Sequence, residues 1–374
     1  MRTFWRITAC GLLLLGGCAS VSFPSPPSSA SASWREMTGS PLSPREQTLG
    51  LWTGSEVLLI GGSDDKPCPP NADCPPDPTP LTDGAALNPA TGTWRKIADT
   101  PVGFTFAQGV VVAGTAYVRP PYPKQDVLLA YRIDQDRWER RSVPFDPELP
   151  YHLVAAGDRL VAVLTSDENG TAPDYLFEAG RWTPLPDDPL GRAFGRMMVW
   201  DGREMVLFDH ELIPNPGAEG PSVVRAAALD LATGKWRTLP ASQILSSEPW
   251  FVSDGKLVNP ILGGADGGEV GNWGRTYPDG GILDPSTGTW SALPAPPFEG
   301  ARSAGGYGPA SAAYLGIDGL VLNAATGKWE ELPLLPGADP GGHTVVAAGT
   351  GLVVFGGAIS RDKLTGKTWY WSPA

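Results

Sequence analysis

Short apolar runs alternate with polar, glycine-bearing turns along almost the whole chain. Residues 55–62 (SEVLLIGG), 256–264 (KLVNPILGG) and 351–357 (GLVVFGG) each place a hydrophobic run before a Gly-Gly pair. Such runs are too short for buried helices, and no stretch sustains a 3.6-residue period, so the pattern predicts strands throughout. Between the runs a polar heptad recurs: 88–94 (NPATGTW), 230–236 (DLATGKW), 284–290 (DPSTGTW) and 323–329 (NAATGKW). Two shorter copies, 134–138 (DQDRW) and 177–182 (FEAGRW), keep only its end.

The heptad has the chemistry of a tight hairpin. An Asp or Asn opens it, and its side-chain oxygen can cap backbone N–H groups two residues on. The Gly fills a left-handed position that a Cβ resists. Leu-Pro follows most copies, at 185–186, 239–240, 293–294 and 332–333. Proline has no N–H for a ladder, so it ends the strand. The Trp spacings of 44, 44, 54, 54 and 39 residues suit one four-stranded propeller blade per repeat.

An apolar strand ending in Gly-Gly, followed by Asp-Pro-x-Thr-Gly-x-Trp, resembles the kelch repeat family over about residues 34–374. The resemblance implies an all-β propeller and leaves function open, because kelch propellers include both enzymes and binding modules. Other propeller families fit less well. A Trp-Asp pair occurs only at Trp200-Asp201, and the Asp-to-Gly and Asp-to-Trp gaps differ from those of the sialidase Asp box. Six Trp-tipped hairpins and a solitary Trp34 give seven expected blades. The last blade has three strands at the C-terminus (343–357 and 367–371), so its fourth is expected at Trp34. The ring would then close by pairing N- and C-terminal strands.

Residues 1–17 read as a leader. Arg2 and Arg6 precede an apolar core over 7–15, too short for a permanent span. Leu15-Gly16-Gly17-Cys18 resembles a bacterial lipobox, which implies cleavage before Cys18 and lipidation of its thiol. Ala19 after the cysteine favours the outer membrane or cell surface by the same analogy. Residues 18–33 then form the lipidated Cys and a Ser/Pro-rich tether unable to build a core, and residues 34–374 form the propeller. The acyl chains would anchor the protein without spanning.

The formal net charge is −12, and about −14 without the leader's two arginines. A nucleic acid is therefore not an expected partner. Cys68 and Cys74 lie in a long insertion, 63–83, of an exported chain, so a disulfide is expected there, ahead of a metal site. Further insertions lie at about 210–222 and 265–280, each between the second and third strands of its blade. All the long loops should therefore share one face.

Arg45, Arg192, Arg302, His152 and His343 fall at or near the starts of innermost strands, facing the channel mouth. Converging guanidiniums there suit a carboxylate or sugar acid; ion pairing between blades is the plainer alternative. With only His152, His210 and His343, the ligand set of kelch copper oxidases such as galactose oxidase cannot be placed. Glu46 and Glu248 with Arg45, Arg192 and Arg302 only loosely imitate the sialate mutarotases. The run 167–170 (DENG) lacks the pattern of a calcium loop. No cofactor and no metal are expected. The reading is a monomeric, non-catalytic module binding an extracytoplasmic protein or glycan, with a sugar-acid mutarotase as the alternative.

Overall fold

A computed structural model describes residues 33–66, 79–121, 127–146, 149–168, 170–213, 220–266, 275–297, 314–315, 320–323, 326–333, 335–336, 341–360 and 363–372. The described residues contain strands and turns and no helix, as the alternation of short apolar runs and turns requires. Five antiparallel sheets follow one another in chain order, each built from four strands of one repeat taken in sequence order. Blade one is Leu49–Trp52, Val57–Ile60, Gly84–Asn88 and Thr93–Ile97. Blade two is Gln108–Val112, Thr115–Arg119, Leu128–Arg132 and Arg137–Arg141. Blade three is Tyr151–Ala156, Arg159–Leu164, Tyr175–Glu178 and Arg181–Pro184. Blade four is Ala193–Trp200, Met205–Glu211, Val224–Asp230 and Lys235–Thr238. Blade five is Phe251–Ser253, Lys256–Asn259, Gly281–Asp284 and Thr289–Ser291.

The sixth four-stranded sheet joins the two ends of the chain. Thr344–Ala348, Gly351–Phe355 and Thr368–Trp371 receive Arg35–Glu36 as the outer strand, with Arg35 opposite Tyr370 and Glu36 opposite Trp369. We call it the terminal blade. Between blade five and the terminal blade lies a three-stranded sheet, Tyr314–Leu315, Leu320–Asn323 and Lys328–Glu331. Among the described residues the expected count of seven four-stranded blades is therefore corrected to six. Counting tryptophans counts outer strands, and the three-stranded sheet has an outer strand, Lys328–Glu331, with only two further strands among the described residues.

The hairpin chemistry is as read. The Oδ1 of Asn88 accepts from the N–H groups of Ala90 and Thr91, and Asp230 and Asp284 do the same two and three residues on. Gly92, Gly234, Gly288 and Gly327 sit at φ between 66 and 75°.

Each sheet buries its faces against its neighbours, so the cores lie between blades. Leu51, Leu58 and Ile60 of blade one pack with Val118, Leu129 and Tyr131 of blade two. Val258 of blade five packs with Leu322 of the three-stranded sheet. Leu332, just past that sheet, packs with Leu352 and Trp371 of the terminal blade.

The repeated tryptophans also latch these seams. The indole N–H of Trp138 donates to Ala98 O, Trp182 to Ser142 O, Trp236 to Pro186 O, Trp290 to Pro240 O and Trp329 to Pro294 O, at 2.8 to 3.1 Å. Each acceptor lies just past the outer strand of the preceding sheet. Trp34 makes the same bond to Pro333 O at 2.6 Å, stitching the N-terminal strand to the chain 299 residues on. Trp94 breaks the series, for its Nε1 is buried without a partner. Trp236→Phe is thus expected to cost about 1 kcal/mol for the lost bond, and Trp94→Phe less, since it removes a buried unsatisfied donor. Urea midpoints of the two variants will show the difference.

Candidate functional site

In an antiparallel four-stranded blade, the second-to-third-strand connection lies on the same side as the link to the next blade. The expected gathering of long loops on one face follows from the observed strand order. The insertions in blades one, four and five run between those strands, and two of the loops carry small hairpins. One pairs Gly264–Asp266 with Thr276–Pro278 in blade five; the other pairs Ala358–Ser360 with Lys363–Leu364 in the terminal blade.

Arg45, at the approach to blade one, is 1% exposed. Its guanidinium grips Asp83 through two bonds, of 2.6 and 2.9 Å, and also reaches Gly61 O, Ser43 O and Ser43 Oγ. That hydrogen bonding holds the Asp83 carboxyl below its usual range despite partial burial. Arg45 therefore clamps its own blade. Arg192 is exposed and donates to Asp167 O at 3.0 Å, at the seam of blades three and four. These two arginines thus engage different blades. His343 is half-buried before the terminal blade's inner strand and lies against Gly357. Arg302, Cys18, Cys68 and Cys74 lie outside the described residues, as does Asn169 of the 167–170 run. No group of three or more metal-ligating side chains occurs among the described residues.

His152 stands second on the inner strand of blade three, with Nε2 3.9 Å from Oε2 of Glu248. Glu248 belongs to the link into blade five, two blades on. Burial pushes the His152 pKa down; Glu248 raises it in part and Arg119 lowers it further. Glu46, on the approach to blade one, is pushed up by burial.

The residues that sequence reasoning missed are buried charges inside apolar strands. Arg196, in AFGRMMVW, is 4% exposed. A register shift between Phe194 and Met197 marks a bulge, and a bulge re-aims the side chain it carries. Arg196 bonds Leu164 O at 2.8 Å, both oxygens of Asp174 at 3.2 and 3.0 Å, and Asp188 at 2.9 Å. Its Nε is buried and unpartnered, 3.9 Å from Asp167. Burial dominates at Asp174 and raises its pKa, with Arg196 opposing. Beside this knot opens a cavity of about 300 Å³ on the long-loop face, bordered by Asp167, Asp187, Asp188, Arg192 and Arg196.

Asp209, in MVLFDHE, is fully buried and paired with Arg225 at 2.9 and 3.2 Å. Burial carries its pKa up to about 6, against the pull of Arg225. The folded protein then holds this proton more tightly than the unfolded chain, so Asp209 favours folding at pH 4 and that contribution fades as pH rises to 6. Asp209→Asn should remove that part of the pH dependence. Its stability relative to the parent should rise between pH 4 and 6 by about 2 kcal/mol, read from urea midpoints.

No family model matches the chain, and no curated protein matches it. Function therefore has to be argued from the geometry alone.

Proposed function

We propose that this chain is a lipid-anchored propeller of the bacterial envelope that binds an extracytoplasmic protein or glycan through its long-loop face. In this reading residues 1–17 are removed, Cys18 carries the lipid, 18–33 are the tether and Cys68 bonds Cys74. The six blades and the three-stranded sheet together form a closed, kelch-type ring. The packing of Leu322 on blade five, the packing of Leu332 on the terminal blade, and the Trp34–Pro333 bond support that closure.

The observation that carries the binding reading is the asymmetry of the two faces. One holds compact Asx hairpins and a cavity of about 240 Å³ between the hairpins of blades two and three. The other holds the insertions, the 300 Å³ cavity and Phe106, the one large apolar side chain standing exposed among the described residues, at 68% and in a left-handed backbone. An exposed aromatic on a rigid ring is a contact residue for a sugar face or a protein surface. The His152–Glu248 pair favours the second reading, a sugar-acid-converting propeller.

The test uses the full chain in its membrane. Glycan arrays and in-cell crosslinking define a ligand. Phe106→Ser and replacement of 264–278 by a short turn should each weaken capture at least tenfold. Thr287→Ala, on the opposite face, should leave it unchanged. Equal losses from both faces would overturn the assignment of the binding face, and turnover of a sugar acid by the purified protein would favour the second reading. Cys18→Ser should abolish palmitate labelling.

A further inference from the structure

The cavity of about 240 Å³ on the hairpin face opens at the seam of blades two and three. Strand pairing explains its lining. Thr115 and Tyr117 are alternate residues of one strand, Val112 stands opposite Thr115 on one side, and Arg132 stands opposite it on the other. Residues that alternate along a strand, or face each other across a pair, share one face of the sheet. These four side chains therefore line the face that blade two turns to blade three. Leu160 and Phe177, opposite each other in blade three, line the facing wall. The two walls belong to one core cluster, in which the Tyr117 and Phe177 rings meet edge to face at 6.0 Å.

The polar groups of this cavity are unspent. Arg45, Arg95, Arg196, Arg225 and Arg237 each hold a carboxylate. Arg132 holds none among the described residues, and its Nε is buried without a partner. Asp158 and Glu178 border the same cavity, yet neither forms an ion pair with it. Glu178 follows the inward-facing Phe177 in its strand and so turns the other way, and Asp158 sits in the turn at the rim. Arg137, opposite Arg132 on the outer strand, is paired with Glu139 at 2.6 Å. Thr115 is 3% exposed, and its hydroxyl has no partner among the described residues. One guanidinium and one hydroxyl are thus held, uncompensated, beside an apolar and aromatic wall.

We propose that this cavity binds a small apolar monocarboxylate, its carboxylate on Arg132 and Thr115 and its hydrocarbon part against Leu160, Phe177 and Tyr117. A planar guanidinium matches a carboxylate, and a charge-assisted bond between them is stronger than one to a neutral acceptor. The acidic residues at the rim and the chain's net charge of −12 work against a second negative charge on the ligand. The site is separate from the long-loop face and does not depend on the function proposed for it.

Calorimetric titration of the purified full chain tests the proposal with phenylacetate, isovalerate, phenylacetamide and inorganic phosphate. At least one of the two carboxylates should bind about tenfold or more tightly than the amide or phosphate. Arg132→Gln should weaken that binding about tenfold, and the near-isosteric Thr115→Val about threefold. Arg137→Gln, which removes an exposed charge from the same hairpin, should leave it unchanged. N-acetyl-alanyl-phenylalanine distinguishes a free acid from a peptide terminus: tighter binding than phenylacetate assigns the site to the C-terminal carboxylate of a partner, and weaker binding assigns it to a free acid. The proposal is overturned if neither carboxylate binds, if the amide or phosphate binds as well, if Arg137→Gln weakens binding as much as Arg132→Gln, or if Thr115→Val and Arg132→Gln both bind as the parent does. Capture through Phe106 and the 264–278 loop is measured separately, so either reading can fail while the other stands.

Discussion

Gly62→Ala and Gly357→Ala should each destabilise the propeller by about 3–5 kcal/mol, an unusually large effect for adding one methyl group. Both glycines are the second of a Gly-Gly pair that ends a second strand, and both sit at φ +89°, with their predecessors Gly61 and Gly356 at +66 and +67°. A Cβ on Gly62 would lie 2.5 Å from Glu46 O, and one on Gly357 2.7 Å from Gly341 O. Backbone cannot swing aside as a flexible side chain would. Left-handed strain of about 1–3 kcal/mol and overpacking of similar size therefore combine.

The close approach has a purpose. The Gly62 N–H donates to Phe104 O, at the start of blade two, and the Gly357 N–H donates to Arg45 O, at the start of blade one. The pair is thus a joint between consecutive blades, made where only a bare backbone fits. Gly114→Ala serves as the control. Gly114 is also left-handed, at φ +74°, but nothing lies within 4 Å of its Cβ direction. It should lose only about 1–2 kcal/mol. Thermal unfolding should show a drop of roughly 10 °C for the first two variants and a few degrees for the control. Similar small drops in all three would mean that the seam tolerates a side chain.

These joints show what was legible in the chain and what was not. Asn88, Asp230 and Asp284 act within three residues of themselves, so their capping could be read locally. The Gly-Gly pairs were visible as strand ends, but their acceptors are more than 40 residues ahead or, for Gly357, more than 300 behind. The prolines of Leu-Pro read as breakers; their carbonyls also accept the indole of a neighbouring sheet, a role no local pattern carries. The blade count erred for a related reason, because an outer strand can be recognised by its Trp while its inner partners, such as Tyr314–Leu315, have almost no signal of their own.

The site was read less well. Strand-start arginines were selected by position, and position does not fix direction. Arg45 turns back to Asp83, 38 residues on. Arg196 and Asp209 were detectable as lone charges within apolar strands, a pattern that predicts either a buried partner or a ligand.

Arg196→Met is the second large effect and is expected to cost about 3–5 kcal/mol, because it strands carboxylates that were buried on the strength of one guanidinium. Asp174 is the most exposed to this loss. Burial already raises its pKa with Arg196 present, so removing the charge must raise it further. The damage should then depend on pH: a protonated Asp174 is tolerable where an ionised one is not, so the variant's deficit should shrink as pH falls from 8 to 5. Asp174 also accepts the Leu164 N–H at 2.8 Å, a bond that an apolar replacement would orphan. Asparagine keeps that acceptor without the charge. Arg196→Met with Asp174→Asn should therefore be more stable at pH 8 than Arg196→Met alone, with a coupling of about 1–3 kcal/mol. A strictly additive double variant, or a deficit constant with pH, would show that the guanidinium acts mainly by filling space. The same measurement bears on function, because this knot borders the cavity on the long-loop face. If charge rather than volume holds blades three and four together there, the cavity is a fixed feature of the ring, and its exposed Arg192 and Asp187 are presented to a ligand on a rigid frame.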